Sequence, residues 1–259
     1  MIFYFSGTGN TFHTASLVAE ATNDRMISIA DALTSQTFDY ALEDNERIGF
    51  FFPVHGWRPP FIVRKFIQSL HIENTSTHYV YAFATCGDDV GMTFGYLRDD
   101  LKTVDIHLDS IFSVIMPESH LFPLVDLIDT PEKAKDKWLK GEEKTKEYIP
   151  HIEKRERGLS LINTSRWPRT NSVLLGSFFL RYWIDDKKFT VDKDACIGCG
   201  KCANVCPVHN IVLNTDKNPE WQHNGLCTAC FACYHHCPKH AIDYAKRGKG
   251  KRQMTFFSD

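Results

Sequence analysis

Eight of the nine cysteines lie between residues 196 and 237, in two copies of one pattern. The first copy is Cys196, Cys199, Cys202 and Cys206, followed by Pro207; the second is Cys227, Cys230, Cys233 and Cys237, followed by Pro238. Three thiolates at i, i+3 and i+6 can wrap three corners of a cubane iron–sulfur cluster. Zinc ribbons use two separated Cys-x2-Cys pairs and have no need of a third cysteine at i+6. A purely structural or zinc-binding role is therefore the weaker reading of these residues.

The repeat resembles the signature of bacterial-type two-cluster [4Fe-4S] ferredoxins over about residues 190–245. The resemblance implies interlocked halves, because the cysteine before each proline serves the other cluster. One cluster then takes Cys196, Cys199, Cys202 and Cys237, and the other takes Cys227, Cys230, Cys233 and Cys206. Two short ββα-like halves are expected, with strands near 189–197 and 211–213, then 220–223 and 241–244. Gly198, Gly200, Ala203 and Ala229 are small enough to let backbone N–H groups approach sulfide, which raises a cluster's potential. His235 and His236 adjoin a ligand but read first as surface histidines.

At 259 residues, with 43% hydrophobic and 24% charged residues, the chain has room for a real core beside a small cluster module. Its net charge of −2 argues against a dedicated nucleic-acid binder. The first residues run from an apolar strand straight into a Gly-rich loop, so no leader is expected. Thiolate clusters need a reducing compartment, which points to the cytoplasm of an anaerobe or microaerophile. The apolar run at 173–184 has only 12 residues and contains Arg181, too short to cross a bilayer. No transmembrane segment is expected, and the run reads as an element packed between two domains, with interfacial membrane binding as the minor alternative.

Up to about residue 155 strands and helices alternate. Apolar strand-like runs fall at 2–5, 47–54, 78–85 and 110–116, and helical spacing at 11–21, 61–70, 91–101 and 131–156. Nearly continuous apolar strands separated by helices predict a parallel sheet covered on both faces. In such sheets ligands sit beyond the C-terminal strand ends. The first loop there, Ser6-Gly7-Thr8-Gly9-Asn10-Thr11, follows a strand and opens a helix, as an anion-binding loop must. It has no lysine or arginine, which excludes a Walker-type nucleotide site, and it lacks the dinucleotide-binding glycine spacing.

This loop resembles the flavodoxin phosphate loop, and the βα pattern extends the resemblance over roughly residues 1–155. It implies bound flavin mononucleotide (FMN) and two further loops around the flavin ring. One is Pro53, Val54, His55, Gly56 and Trp57, where Trp57 would stack on the ring or else pack against the cluster domain. The other is Thr85, Cys86, Gly87, Asp88 and Asp89. Cys86 reads as a small buried filler. Asp88 and Asp89 either lower the flavin potential or are solvated loop charges. Many flavodoxins place an aromatic a few residues further on; this chain has Val90, Gly91 and Met92. The outer ring face is then open, or covered by Met92 or the second domain.

The expected organisation is a flavodoxin-like α/β domain over 1–157, a docked connection over 158–188, and an α+β two-cluster ferredoxin domain over 189–259. The last ends in a basic tail, 246–252, read as a solvated end or as a docking patch for an acidic partner. The whole chain resembles flavodoxin–ferredoxin fusion proteins of anaerobes. That resemblance implies an electron-transfer protein carrying FMN and two [4Fe-4S] clusters and serving partner oxidoreductases, with no catalytic residues of its own. The alternative is an oxidoreductase that reduces a quinone or other small acceptor at the flavin, with the clusters as electron input. A redox sensor would need an effector domain that the sequence does not show. A homodimer is among the expected assemblies.

Overall fold

The computed structural model describes residues 1–121, 127–248 and 250–254. Five parallel strands form the body of the first domain: β1 (Ile2–Tyr4), β2 (Met26–Ser28), β3 (Ile48–Pro53), β4 (Val80–Cys86) and β5 (Ser110–Ile115). A two-residue strand, β6 (Ser160–Leu161), extends the sheet, giving the order β2-β1-β3-β4-β5-β6. The order 2-1-3-4-5 is that of flavodoxin-like doubly wound sheets, with the switch point between β1 and β3.

Strands β3 and β4 are apolar on both sides because both faces are covered. One face packs α2 (Ile29–Ser35), α3 (Phe61–Ser69) and α4 (Thr93–Lys102); the other packs α1 (Asn10–Thr22) and α5 (Pro131–Glu153). Register aligns Phe51, Phe83 and Phe112 across three strands, with ring centroids 5.2 and 5.9 Å apart. Each is fully buried, which is worth about 1.5–3 kcal/mol per side chain. Helix α5 begins as its sequence suggests. Thr130 accepts a hydrogen bond from the Lys133 N–H at 3.3 Å, and Pro131 occupies the first turn.

The sequence pattern does not reveal β2 and α2. Both are short, and Ser28 ends the strand while capping the helix through the Asp31 N–H at 3.2 Å.

In the second domain the halves exchange strands. The first strand, β7 (Phe189–Val191), pairs antiparallel with the last, β10 (Ile242–Tyr244), while β8 (Ile211–Leu213) pairs with β9 (Pro219–Trp221). The core runs without a break from the first domain into this one. Phe189, Phe231 and Tyr244 belong to the same buried cluster as Phe3 and Phe52.

The connection is docked on one side only. A helical segment runs through Pro168–Thr170, a π-turn at Asn171–Leu175 and Gly176–Tyr182. A β-carbon on Gly176 would lie 2.3 Å from the Gly56 carbonyl oxygen, and Arg58 donates to the Ser172 carbonyl at 2.9 Å. Trp183 donates its indole N–H to the Leu121 carbonyl at 2.9 Å, and its own carbonyl accepts from the Tyr244 hydroxyl. The opposite face is exposed.

The basic tail is not a free end over its described residues. The Tyr234 hydroxyl donates to the carbonyls of Gly248 and Lys251, and the Gln253 amide donates to those of Tyr234 and Cys237. Lys249 and residues 255–259 lie outside the described residues.

Candidate functional site

The eight cysteines of the repeat line two separate cavities. Cys196, Cys199, Cys202 and Cys237 surround one; Cys206, Cys227, Cys230 and Cys233 surround the other. None of the eight is in a disulfide. Among the described residues no three metal-binding side chains converge tightly enough for a single ion, so the sulfurs ring a space instead of meeting at a point. A cubane, with sulfur ligands at its four outer corners, needs that wider arrangement.

Backbone conformation builds both loops alike. Gly198 and Gly200 take positive φ in the first (63° and 75°), and Ala229 and Phe231 take it in the second (49° and 62°). Alternating handedness turns successive N–H groups inward, forming a concavity suited to anionic sulfide. A bulky residue in this conformation is strained. Phe231 is held there by packing, with ring centroids 5.0 Å from Tyr244, 5.7 Å from Phe189 and 4.9 Å from His120.

The two cysteine sets differ in surroundings. Cys230 faces the first domain and Cys233 is buried, whereas Cys199 and Ile197 are exposed. Lys201, Lys217 and Lys239 line the same cavity as Cys199, and no carboxylate does. His235 is buried, contrary to its reading as a surface residue. Its Nε2–H donates to the Ser119 carbonyl at 2.7 Å while Nδ1 accepts from the Met254 N–H at 3.1 Å, which fixes the tautomer. His236 is partly buried, its Nδ1 2.9 Å from the Ala232 carbonyl.

In the first domain, Ser6 to Thr11 pass from the end of β1 into α1. Gly9 has φ 102°, and α1 has neither a side-chain cap nor an acidic residue in its first turn. Its amino-terminal N–H groups and positive dipole end are thus left for an anion. The Ser6 hydroxyl accepts from the Gly9 N–H at 3.2 Å, and the Thr11 and Thr85 hydroxyls meet at 2.7 Å, tying the first loop to the end of β4. Asn10 donates to the Pro117 carbonyl at 3.0 Å, but its buried Oδ1 has no partner. His120 Nε2 is likewise buried and unpartnered. Burial holds the imidazoles of His120 and His55 down, to about 3 and about 4, so both are neutral.

The loop after β3 makes a tight turn. His55 and Arg58 exchange backbone hydrogen bonds at 3.0 and 3.2 Å, with Gly56 and Trp57 both at positive φ. Trp57 donates its indole N–H to Asp89 at 2.9 Å, and the other Asp89 oxygen accepts from the Gly91 N–H at 2.8 Å. The loops after β3 and β4 are thereby joined, and Met92 is covered by Ser172 of the connecting helix, whose hydroxyl accepts its N–H at 2.8 Å. Pro53 ends β3, and the Val54 N–H donates to the Thr85 carbonyl at 2.8 Å. Cys86 is buried at the end of β4, which pushes its thiol pKa up and keeps it protonated. Gly87 accepts from Lys137 Nζ at 2.9 Å, and Asp88 lies beside it as an exposed residue.

The sequence gives no signal for one further group, residues 117–120. They follow β5 and reach Asn10 through Pro117, Gly87 through Glu118, Thr8 through Ser119 (3.4 Å) and Phe231 through His120. Next to the first loop a cavity of about 310 Å³ is lined by Ser6, Gly9, Phe12, Asp31, Cys206 and His209, among others, so both domains contribute to its wall.

A doubly wound parallel sheet joined to two interlocked sets of four cysteines defines an electron-transfer protein built around iron–sulfur clusters. Residues 188–251 match the 4Fe-4S dicluster domain family, and through that domain the chain belongs to the two-cluster ferredoxins. An uncharacterized ferredoxin of Methanocaldococcus jannaschii is 37% identical over 54 residues, which is 20% of this chain and 70% of that one. A ferredoxin of Thermococcus litoralis is 75% identical over 20 residues, 8% of this chain and 34% of that one. Among solved structures, rubredoxin oxygen:oxidoreductase from the anaerobe Desulfovibrio gigas aligns with a TM-score of 0.31 and 17% identity. The alignment covers 57% of this chain and 36% of that one.

Proposed function

We propose that this chain relays electrons between an FMN held by residues 1–157 and two [4Fe-4S] clusters held by residues 189–259, and onward to partner oxidoreductases. Residues 158–188 are the docked connection. The observation that carries the reading is the contact of the first loop with a cluster cysteine: a β-carbon on Gly7 would lie 2.4 Å from Cys230 Cβ. A cofactor at that loop is thereby neighbour to the cluster bound by Cys227, Cys230, Cys233 and Cys206. The cluster bound by Cys196, Cys199, Cys202 and Cys237 is the outer one, next to solvent.

The loop suits a phosphate monoester, since an uncapped helix start and a glycine turn supply donors without lysine or arginine. Ser6, Thr8 and Thr11 add hydroxyls, and the partnerless Asn10 Oδ1 leaves an acceptor free for a ligand. His55, Gly56, Trp57 and residues 85–89 are the groups that would flank the ring. FMN, when bound, accepts electrons in pairs and releases them singly, which matches it to one-electron clusters. The protein supplies closeness, and the imidazoles of His55 and His120 beside these loops are uncharged. A reducing, cytoplasmic setting fits clusters held by cysteine thiolates.

The cavity beside Ser6 and Gly9 favours one second reading, reduction of a quinone or similar acceptor at the flavin. Anaerobic purification, flavin and iron analysis, and titration with NADH or NADPH test both. About eight irons and one flavin per chain are expected. Reduction by dithionite or a reduced partner protein alone supports the relay; bleaching by nicotinamide alone makes the chain an oxidoreductase with its own donor site. Absence of flavin from a cluster-loaded preparation refutes the flavin assignment.

A further inference from the structure

The connecting helix is apolar on both sides, and only one side is covered. Ser172 and Gly176 are buried against the loops after β3 and β4. On the far side Trp167, Leu174, Leu175, Phe178 and Tyr182 stand 63, 66, 54, 64 and 55% exposed. Phe178 and Tyr182, four residues apart, share one side of the last helical turns; Leu174 and Leu175 lie in the π-turn with Val173, itself 44% exposed, and Trp167 stands just before the first turn. Exposed large side chains scattered singly are ordinary; this many within one short segment mark a surface that something covers.

Charge indicates what covers it. Between residues 166 and 184 there are three arginines and no carboxylate. Arg166, Arg169 and Arg181 are exposed, and among the described residues none forms an ion pair. Arg166 and Arg181 lie along the aromatic rims of the patch, 5.5 Å from the Trp167 ring and 5.6 Å from the Tyr182 ring. A second copy fits poorly, because a two-fold contact sets the patch against itself and brings arginines to arginines. An anionic, apolar-cored surface fits well. Aromatic residues near both ends, aliphatic residues between them and flanking arginines are the make-up of a helix lying in a membrane interface. No helix among the described residues is long and apolar enough to cross a membrane, so the contact is with one leaflet.

We infer that residues 167–182 form an in-plane docking helix by which this protein sits on an anionic lipid surface. The patch enters the headgroup–acyl boundary and the arginines meet lipid phosphates. Because the covered face of the same helix packs on the loops after β3 and β4, docking places those loops beside the bilayer.

The test is flotation of the cluster-loaded protein with vesicles of phosphatidylcholine alone and of phosphatidylcholine with phosphatidylglycerol, together with its mass in solution. The protein is expected to float with the anionic vesicles, and raising the salt should weaken the binding. Leu174→Glu with Phe178→Glu should cut partition at least ~tenfold. Arg166→Gln, Arg169→Gln and Arg181→Gln together should abolish the preference for anionic over neutral vesicles. All five positions are exposed, so iron content should not change. Equal failure to float with either vesicle overturns the inference. So does flotation that both variants leave untouched, or a dimer that Leu174→Glu and Phe178→Glu dissociate.

Discussion

Gly7 and Cys230 touch across the two domains: a β-carbon on Gly7 would stand 2.4 Å from Cys230 Cβ and 3.3 Å from its Sγ. There is no room for a side chain, so the contact depends on glycine. Gly7→Ala must push the loop or the cysteine aside, at about 1–3 kcal/mol for overpacking. Iron and flavin contents should stay near those of the parent while electron passage between them slows. Stopped-flow reduction of the variant checks this, and an unchanged internal rate would separate the contact from the electron route.

The first loop is held to the sheet by the buried Thr11–Thr85 hydroxyl pair, 2.7 Å apart. Thr85→Val leaves the Thr11 hydroxyl without that partner, at about 1–3 kcal/mol. The expected result is a lower melting temperature and a lower flavin-to-protein ratio, with iron content preserved. Loss of iron and flavin together would point to general unfolding instead.

Glu118 gives a pH dependence of definite sign. Burial raises its carboxyl to about 7 from an ordinary 4.5; Lys137 opposes the shift and Asp129 adds to it. The folded protein therefore holds this proton more tightly than the unfolded chain. Its stabilising effect is complete below about 4.5 and is lost as the pH climbs to about 7. Melting curves between pH 5 and 8 should show stability falling as pH rises, by on the order of 3 kcal/mol from this group at most. Glu118→Gln should flatten that slope.

The outer cluster is bordered by Lys201, Lys217 and Lys239 around exposed Ile197 and Cys199. Among the described residues these lysines make no ion pairs, so the face suits an acidic redox partner. Changing all three to glutamine should lower the rate of electron delivery to an acidic acceptor by roughly tenfold at low salt and much less at high salt. Delivery to a small neutral acceptor should be unaffected.

The cysteine repeat was legible because cluster chemistry dictates ligand spacing, and the spacing survives whatever surrounds it. The sheet was legible for a similar reason: Phe50, Phe51 and Phe52 in succession suit only a strand covered on both faces. The contacts around the site were not. Pro117, Glu118, Ser119 and His120 lie more than a hundred residues from Thr8 and Asn10, and nothing in their own sequence marks them. His235 read as a surface residue because its covers, Ser119 and Met254, arrive from distant segments. The basic tail read as free because charge alone does not disclose that Tyr234 holds the carbonyls beneath it. Phe231 shows the reverse case. It occupies a position where the first half of the repeat has Gly200, and tertiary packing overrides the local cost of positive φ.

The central claim is that flavin and clusters exchange electrons inside one chain, through the contact of Gly7 with Cys230. Anaerobic stopped-flow with the loaded protein, following flavin and cluster absorbance after a sub-stoichiometric pulse of reductant, tests it most directly. The account predicts that electrons redistribute between flavin and clusters at a rate independent of protein concentration. A rate proportional to protein concentration would show that exchange occurs between molecules, and would contradict it.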